Sequence, residues 1–119
     1  AIIVLEGDTD LSHIEQTGDT INAEVSKRLL MSIFAKNSPL HDGAVILRNS
    51  RIVAARCVLP ISDDPDIPAE LGMRHRAALG ITEVSDAVAI VVSEQTGKVA
   101  VASAGRIKRN LSNEELHTV

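Results

Sequence analysis

At 119 residues the chain has the length of one domain, and 45% hydrophobic residues suffice to wrap a single core, so two independent domains are not expected. Twelve Lys and Arg against sixteen Asp and Glu leave a formal charge of −4, which argues against a nucleic-acid-binding surface and requires any bound phosphate to meet a local basic cluster. The single cysteine, Cys57, cannot close an intramolecular disulfide, and no apolar run approaches the roughly 20 residues that span a bilayer, so the expectation is a soluble chain in a cytoplasmic setting.

Residues 1–6 form an apolar run too short for a typical helix and followed by Gly7-Asp8, which predicts a central strand. The chain opens directly on that strand, with no leader, and is therefore expected to be a fragment of a longer protein. Residues 11–20 are polar and read as irregular, or as one short helical turn. From Asn22, a plausible N-cap, Val25, Leu29, Leu30, Ile33 and Phe34 recur at helical spacing through Ala35. That predicts a helix with one apolar face for a sheet. Asn37-Ser38-Pro39 ends it, because the residue before proline is pushed out of helical geometry.

Residues 44–47 and 52–59 are strand-like, and Asn49-Ser50 between them predicts a tight turn and antiparallel pairing. Residues 60–68, with three prolines and three aspartates, read as a loop. Residues 69 to about 79 read as a helix closed by Gly80. Residues 87–93 form a second apolar strand, followed by a Gln95-Thr96-Gly97 turn, a strand over 98–102 and another turn at Ala104-Gly105. The remainder, with Leu111, Ser112 as an N-cap and Leu116, reads as a short terminal helix. The sum is an α/β fold, a mixed central sheet flanked by helices in a single domain.

Three segments at element ends carry side chains with chemistry. In His41-Asp42-Gly43-Ala44 an acid stands just ahead of an apolar strand, and the glycine lets a ligand approach the backbone. Asp42 could accept a proton or ligate a hard metal, and His41 could add a nitrogen ligand, although the same tetrapeptide is an ordinary Asp-Gly turn. Arg74-His75-Arg76 near a helix start could hold a polyphosphate, with backbone N–H groups assisting. In a regular helix, however, residues two apart differ by about 200°, so both arginines could face one ligand only ahead of the first full turn; a solvated basic patch is the alternative. In Ser93-Glu94-Gln95-Thr96-Gly97 the hydroxyls can donate to phosphate and Glu94 could bind a metal or fix an arginine, while a plain hairpin turn also satisfies the pattern. The chain has no Tyr or Trp and one Phe, Phe34, so a purine site must be walled by aliphatic side chains and Arg. Asp63, Asp64 and Asp66 read as a solvated acidic loop, Cys57 as an inert buried thiol, and His13 and His117 as surface residues.

Taken together and in order, Asn37-Ser38-Pro39-Leu40-His41-Asp42-Gly43-Ala44, Leu71-Gly72-Met73-Arg74-His75-Arg76-Ala77-Ala78 with Gly80, and Val92-Ser93-Glu94-Gln95-Thr96-Gly97 resemble the diadenylate cyclase domain, closest to its membrane-anchored housekeeping branch. The resemblance covers nearly the whole chain. It implies two ATP molecules joined into cyclic di-AMP with release of pyrophosphate, a divalent metal (magnesium, manganese or cobalt) and a head-to-head homodimer. Residue by residue, Asp42 matches the aspartate beside the attacking ribose hydroxyl, and Gly43 and Ala44 the backbone at the nucleotide. Leu59 matches an aliphatic wall of the adenine pocket. Gly72 and Met73 lead into the phosphate-binding triplet, Arg74, His75 and Arg76; Ser93 and Glu94 match the hydroxyl and acid near phosphates and metal, and His41 a metal ligand of this branch.

Two departures stand out. Met73 occupies a position that is commonly threonine and supplies no donor, which is the sequence argument for an alternative: an adenine-nucleotide-binding regulatory module with weak or no catalysis. Val58 stands where an aromatic residue is frequent. The family's domain also normally carries a helix ahead of the first strand and a transmembrane segment further upstream. The expectation is thus a longer protein at the cytoplasmic face of the membrane, with a regulatory protein as a further partner.

Overall fold

The computed structural model describes residues 1–68, 71–93 and 97–111. In chain order the elements are β1 (Ile2–Leu5), α1 (Ser12–Glu15), β2 (Asp19–Glu24), α2 (Lys27–Ile33), β3 (Ala44–Arg48), β4 (Arg51–Cys57), α3 (Met73–Glu83), β5 (Val88–Val92), β6 (Val99–Ser103) and β7 (Arg106–Leu111). The strands form one sheet in the order β2-β4-β3-β1-β5-β6-β7. Strand β1 runs parallel to β3 and antiparallel to β5, so the sheet is mixed, as expected, and the opening apolar run is its centre.

Strand alternation sends successive side chains to opposite faces. On one face Ile2, Val4, Ala44, Ile46, Ala89, Val91, Ala100 and Ala102 form the main core with α1 and α3. On the other, Val45, Ile52 and Ala55 pack with Ile33, Leu29, Leu30 and Phe34 of the α2 region. The only phenylalanine is thereby spent on the face opposite α3. At the β3–β4 hairpin Asn49 (φ 52°) and Ser50 (φ 63°) both take the left-handed conformation that two-residue hairpins favour, as that pair of residues predicted.

Four expectations are corrected. Residues 19–24 form a strand, β2, pairing antiparallel with β4 as a sheet edge, with a shift of register between Thr20 and Ala23. Asn22 is therefore not a helix cap. It sits within β2 at φ 51°, and its carbonyl and side-chain oxygens accept bonds from Arg51. The cap is Ser26, whose hydroxyl accepts from the Leu29 N–H at 3.1 Å. Residues 106–111 form the strand β7 rather than leading into a helix; the Ser112 cap and the helix beyond it lie outside the described residues.

Gly80, finally, does not close α3 but lies inside it, and the reason is packing. A Cβ at Gly80 would stand 1.9 Å from the Pro60 carbonyl oxygen and 2.6 Å from its carbon. The helix crosses the 58–62 loop so closely that only hydrogen fits there. The approach is fastened by the Ser62 N–H donating to the Arg76 carbonyl (3.0 Å) and by the Ser62 hydroxyl donating to Glu83 (2.7 Å). Gly80→Ala must push the loop off the helix and should destabilise the fold by about 3 kcal/mol, the upper end of overpacking costs, measurable by urea denaturation.

Candidate nucleotide site

The register of β1 assembles the site. Ile2 is opposite Ala44 of β3 on one side and Val91 of β5 on the other. The segment entering β3 (Asp42-Gly43) and the segment leaving β5 (Val92-Ser93) are thus brought to one end of the sheet, and α3 starts above that end. Two of the three motifs meet there through strand pairing alone.

On the β3 side, a cavity of about 280 Å³ is lined by Asp42, Gly43, Ala44, Val58, Leu59 and Ile61, with Ile2, Arg56, Cys57 and Ala77. Its walls are mostly aliphatic, as a purine pocket in a chain without Tyr or Trp requires. Gly43 is obligatory for its shape. At φ +90° a side chain is strained, and a Cβ would lie 2.8–3.0 Å from the backbone of Arg56 and Cys57. The crowding comes from an irregularity in β3–β4 pairing, where Arg56 itself takes φ 58°. Asp42 is exposed, and one of its carboxylate oxygens accepts from the Gly43 N–H at 3.1 Å.

Cys57 is buried, and burial pushes its thiol up to about 11, with the Glu15 and Asp19 carboxylates adding to the effect. It borders the cavity as a hydrophobe, not as a nucleophile.

On the β5 side, a groove of about 310 Å³ is lined by Gly72, Met73, Arg74 and His75 of the α3 start and by Val91, Val92 and Ser93. Gly72 is the cap residue of α3, with no side-chain cap bond and open space around it, so the helix presents its first N–H groups outward. Arg74-His75-Arg76 occupies the first regular turn, with the Arg76 N–H donating to the Gly72 carbonyl at 3.2 Å. Arg74 and Arg76 therefore diverge: Arg74 and His75 line the groove, whereas Arg76 is not among its walls. The His75 imidazole is held below its usual value, by burial and then by the charge of Arg109. Arg109 lies ahead of the Ser112 cap expected for a terminal helix, in a segment with no strand signal of its own; as a strand, the sequence Arg106-Ile107-Lys108-Arg109 places cations around an inward-facing apolar residue. Met73 is 64% exposed at the groove, consistent with a contact position and not with a core one.

The donors that could hold a divalent cation are Asp42, His41 and Glu94. His41 Nδ1 lies 2.7 Å from the Ser38 carbonyl, so it donates there and, in the neutral ring, leaves Nε2 with the lone pair. An imidazole nitrogen and the exposed Asp42 carboxylate are donor types that divalent metals accept. Glu94 lies outside the described residues, as do Gln95 and Thr96. Among the described residues no three His, Cys, Asp or Glu side chains cluster at metal-binding distance. A larger cavity, about 830 Å³, lies elsewhere, over α2 between Ser26 and Ala35, and none of the three motifs contributes to it. Size alone would favour it; the chemistry of the walls makes the sheet end the candidate.

Comparisons with known proteins bear on the family. Residues 1–107 match the family DAC, described as DisA bacterial checkpoint controller nucleotide-binding. The cyclic di-AMP synthase CdaA of Bacillus subtilis is 52% identical over 116 residues, covering 98% of this chain and 42% of that protein. A diadenylate cyclase of Listeria monocytogenes is 48% identical over 119 residues, covering 100% of this chain and 44% of its own length. The chain thus spans less than half the length of these relatives. A crystal structure of DacA from Staphylococcus aureus, a double cysteine mutant, superposes with a TM-score of 0.95 at 46% identity, covering 99% of this chain and 79% of that one. A structure described as a hypothetical membrane spanning protein from Bacillus cereus gives a TM-score of 0.89 at 45% identity, covering 94% and 55%.

The buried thiol offers a check on the cavity wall. Only thiolate alkylates readily, and a raised value leaves little of it at pH 7.5. Iodoacetamide followed by mass measurement should modify Cys57 far more slowly in the folded protein than in urea, and the folded-state rate should climb as pH approaches 11.

Proposed function

Because the chain belongs to the diadenylate cyclase domain family, we propose that it condenses two ATP molecules into cyclic di-AMP and two pyrophosphates, working as a head-to-head homodimer. The observation that carries the reading is the meeting of the Asp42 cavity and the α3 groove at one end of the sheet. An adenosine fits the aliphatic cavity, with Leu59 as a wall and the sugar toward Asp42-Gly43. The phosphates then run across the start of β1 toward Ser93, Arg74, His75 and the open helix N-terminus.

In each transfer the 3′-oxygen of one ATP bonds to the α-phosphorus of the other. The bond from that phosphorus to the α,β-bridging oxygen breaks, and pyrophosphate leaves with the electron pair. Asp42 orients the hydroxyl and takes up its proton. The helix N–H groups, the Ser93 hydroxyl and Arg74 stabilise the charge that builds on the phosphate oxygens. A divalent cation (magnesium, manganese or cobalt) held by Asp42, His41 and Glu94 would neutralise phosphate charge. Two identical bonds call for two identical half-sites, which a two-fold pair supplies.

In a protein of the relatives' length, an upstream segment would hold this domain at the cytoplasmic face of the membrane, in line with the Bacillus cereus neighbour described as membrane spanning. No helix among the described residues is long and apolar enough to cross a membrane. The regulatory-module reading rests on Met73 alone; the relatives named as cyclases and synthases favour catalysis.

Incubation with ATP and manganese followed by mass analysis should yield cyclic di-AMP. Asp42→Asn should abolish product while ATP affinity by calorimetry stays within about tenfold, or roughly 1.4 kcal/mol; near-wild-type product from this variant would reduce Asp42 to a turn residue. Specific activity should also rise with protein concentration until dimers saturate. A constant value down to concentrations where sedimentation finds only monomer would exclude paired half-sites.

A further inference from the structure

The groove at the start of α3 does not end at His75 and Ser93. Both residues also line a second cavity of about 200 Å³, whose further walls include Lys98, at the turn entering β6, and Arg109 on β7. Four of its residues, His75, Ser93, Lys98 and Arg109, bring hydrogen-bond donors, and two of them, Lys98 and Arg109, are cations. In a chain of net charge −4, that concentration of donors and positive charge is the local basic cluster a polyanion needs.

The fold aims Arg109 there. Ile107, two residues earlier, packs on the core beneath α3, and between Val99 and Val101 the β6–β7 register shifts beside Arg109, the kind of irregularity that re-aims a side chain. The lowering of the His75 imidazole by the Arg109 charge reports the same proximity. Lys98 is fixed from its backbone, its carbonyl accepting the Ser93 N–H at 2.9 Å. Arg76, meanwhile, diverges from the groove, so the triplet contributes one guanidinium to it, Arg74. A nucleoside triphosphate whose α-phosphate lies near Ser93 has its β- and γ-phosphates still to place, and this second cavity lies directly beyond.

We infer that Arg109 and Lys98 form a subsite for the β- and γ-phosphates and receive the departing pyrophosphate. The inference rests on the proposed ATP reading for the direction in which the nucleotide lies. Arg109 can grip two phosphate oxygens through its planar fork, and Lys98 acts as a point charge. Both cations would act on the leaving group, so their loss should weaken pyrophosphate and ATP while leaving AMP alone.

The test uses the 119-residue chain with inorganic pyrophosphate and, separately, AMP as calorimetric probes in the presence of magnesium. Pyrophosphate affinity should fall at least tenfold in Arg109→Ala and severalfold in Lys98→Ala, with Arg109→Lys retaining part of it, and AMP affinity should not move in any variant. If Arg109→Ala melts at low temperature, Arg109→Lys and Lys98→Ala carry the comparison. Undetectable pyrophosphate binding by the wild type, unchanged affinity in these variants, or equal losses for AMP and pyrophosphate would each overturn the subsite. The two readings separate cleanly. Cyclic di-AMP formation by the wild type with pyrophosphate affinity indifferent to Arg109 and Lys98 removes only the subsite. Arg109-dependent pyrophosphate binding without ATP turnover supports the subsite and removes the cyclase reading.

Discussion

Ile2 is held from both sides, by Ala44 on a parallel strand and by Val91 on an antiparallel one, and the geometry of the candidate site follows from that double pairing. Because β1 and β3 start at the end of the sheet where β5 finishes, the acid ahead of β3 and the hydroxyl after β5 become neighbours although about fifty residues separate them in sequence. The register is protected by burial. Ile2 is 5% and Val4 0% exposed on the α3 face, whereas Leu5, on the other phase of the strand, is 39% exposed. A one-residue slip would exchange these sets and send the core side chains of β1 to the wrong face. The backbone of Ala1 adds two bonds to Val92, from its amino group at 2.9 Å and to its carbonyl at 2.8 Å.

A second constraint sets the height of α3 over that sheet end. Small residues on its inner side, Ala77 and Ala78, together with Gly80, let the helix axis come close to the sheet and to the 58–62 loop. The buried Ser62 and Thr82 hydroxyls are both satisfied, Ser62 by Glu83 and Thr82 by the Leu79 carbonyl. The same loop supplies Leu59 and Ile61 to the aliphatic cavity. Helix position and pocket wall are therefore one packing solution, and a change that lifts the helix also opens the cavity.

The sequence was most legible where one local signal dominated. The apolar runs of β1 and β5, the paired turn residues Asn49-Ser50 and the proline-rich loop all read directly, and the resemblance carried by three motifs led to the family. It was least legible at the two sheet edges. Strand β2 is mostly polar and exposed and carries a left-handed Asn22, so its brief alternation, Ile21 and Ala23 between polar neighbours, is too short to stand out. Half of the residues of strand β7 are basic, and charge on an edge strand guards against edge-to-edge pairing while erasing the strand signature. Gly80 misled for a related reason: a glycine demanded by a contact far away in sequence looks, locally, like a helix stop. Lys98 and Arg109 went unseen because only the hairpin register brings them to His75.

The distances within one protomer bear on why the proposed chemistry needs two. Ala44 and Val91 are separated by the single strand β1, so their backbones stand about 10 Å apart, two strand spacings. That span suits one nucleotide, with its sugar at Asp42 and its phosphates along the α3 groove. The larger cavity over α2 has no motif residue in its walls, so it does not supply the second ribose hydroxyl that must reach the α-phosphate. On this reading the acid and the phosphate groove of one protomer serve the two ends of a single bound ATP. The hydroxyl that attacks it must arrive on a partner's nucleotide, and the exposed positions of Asp42, Arg74 and Met73 at the rim leave that approach open to a facing copy.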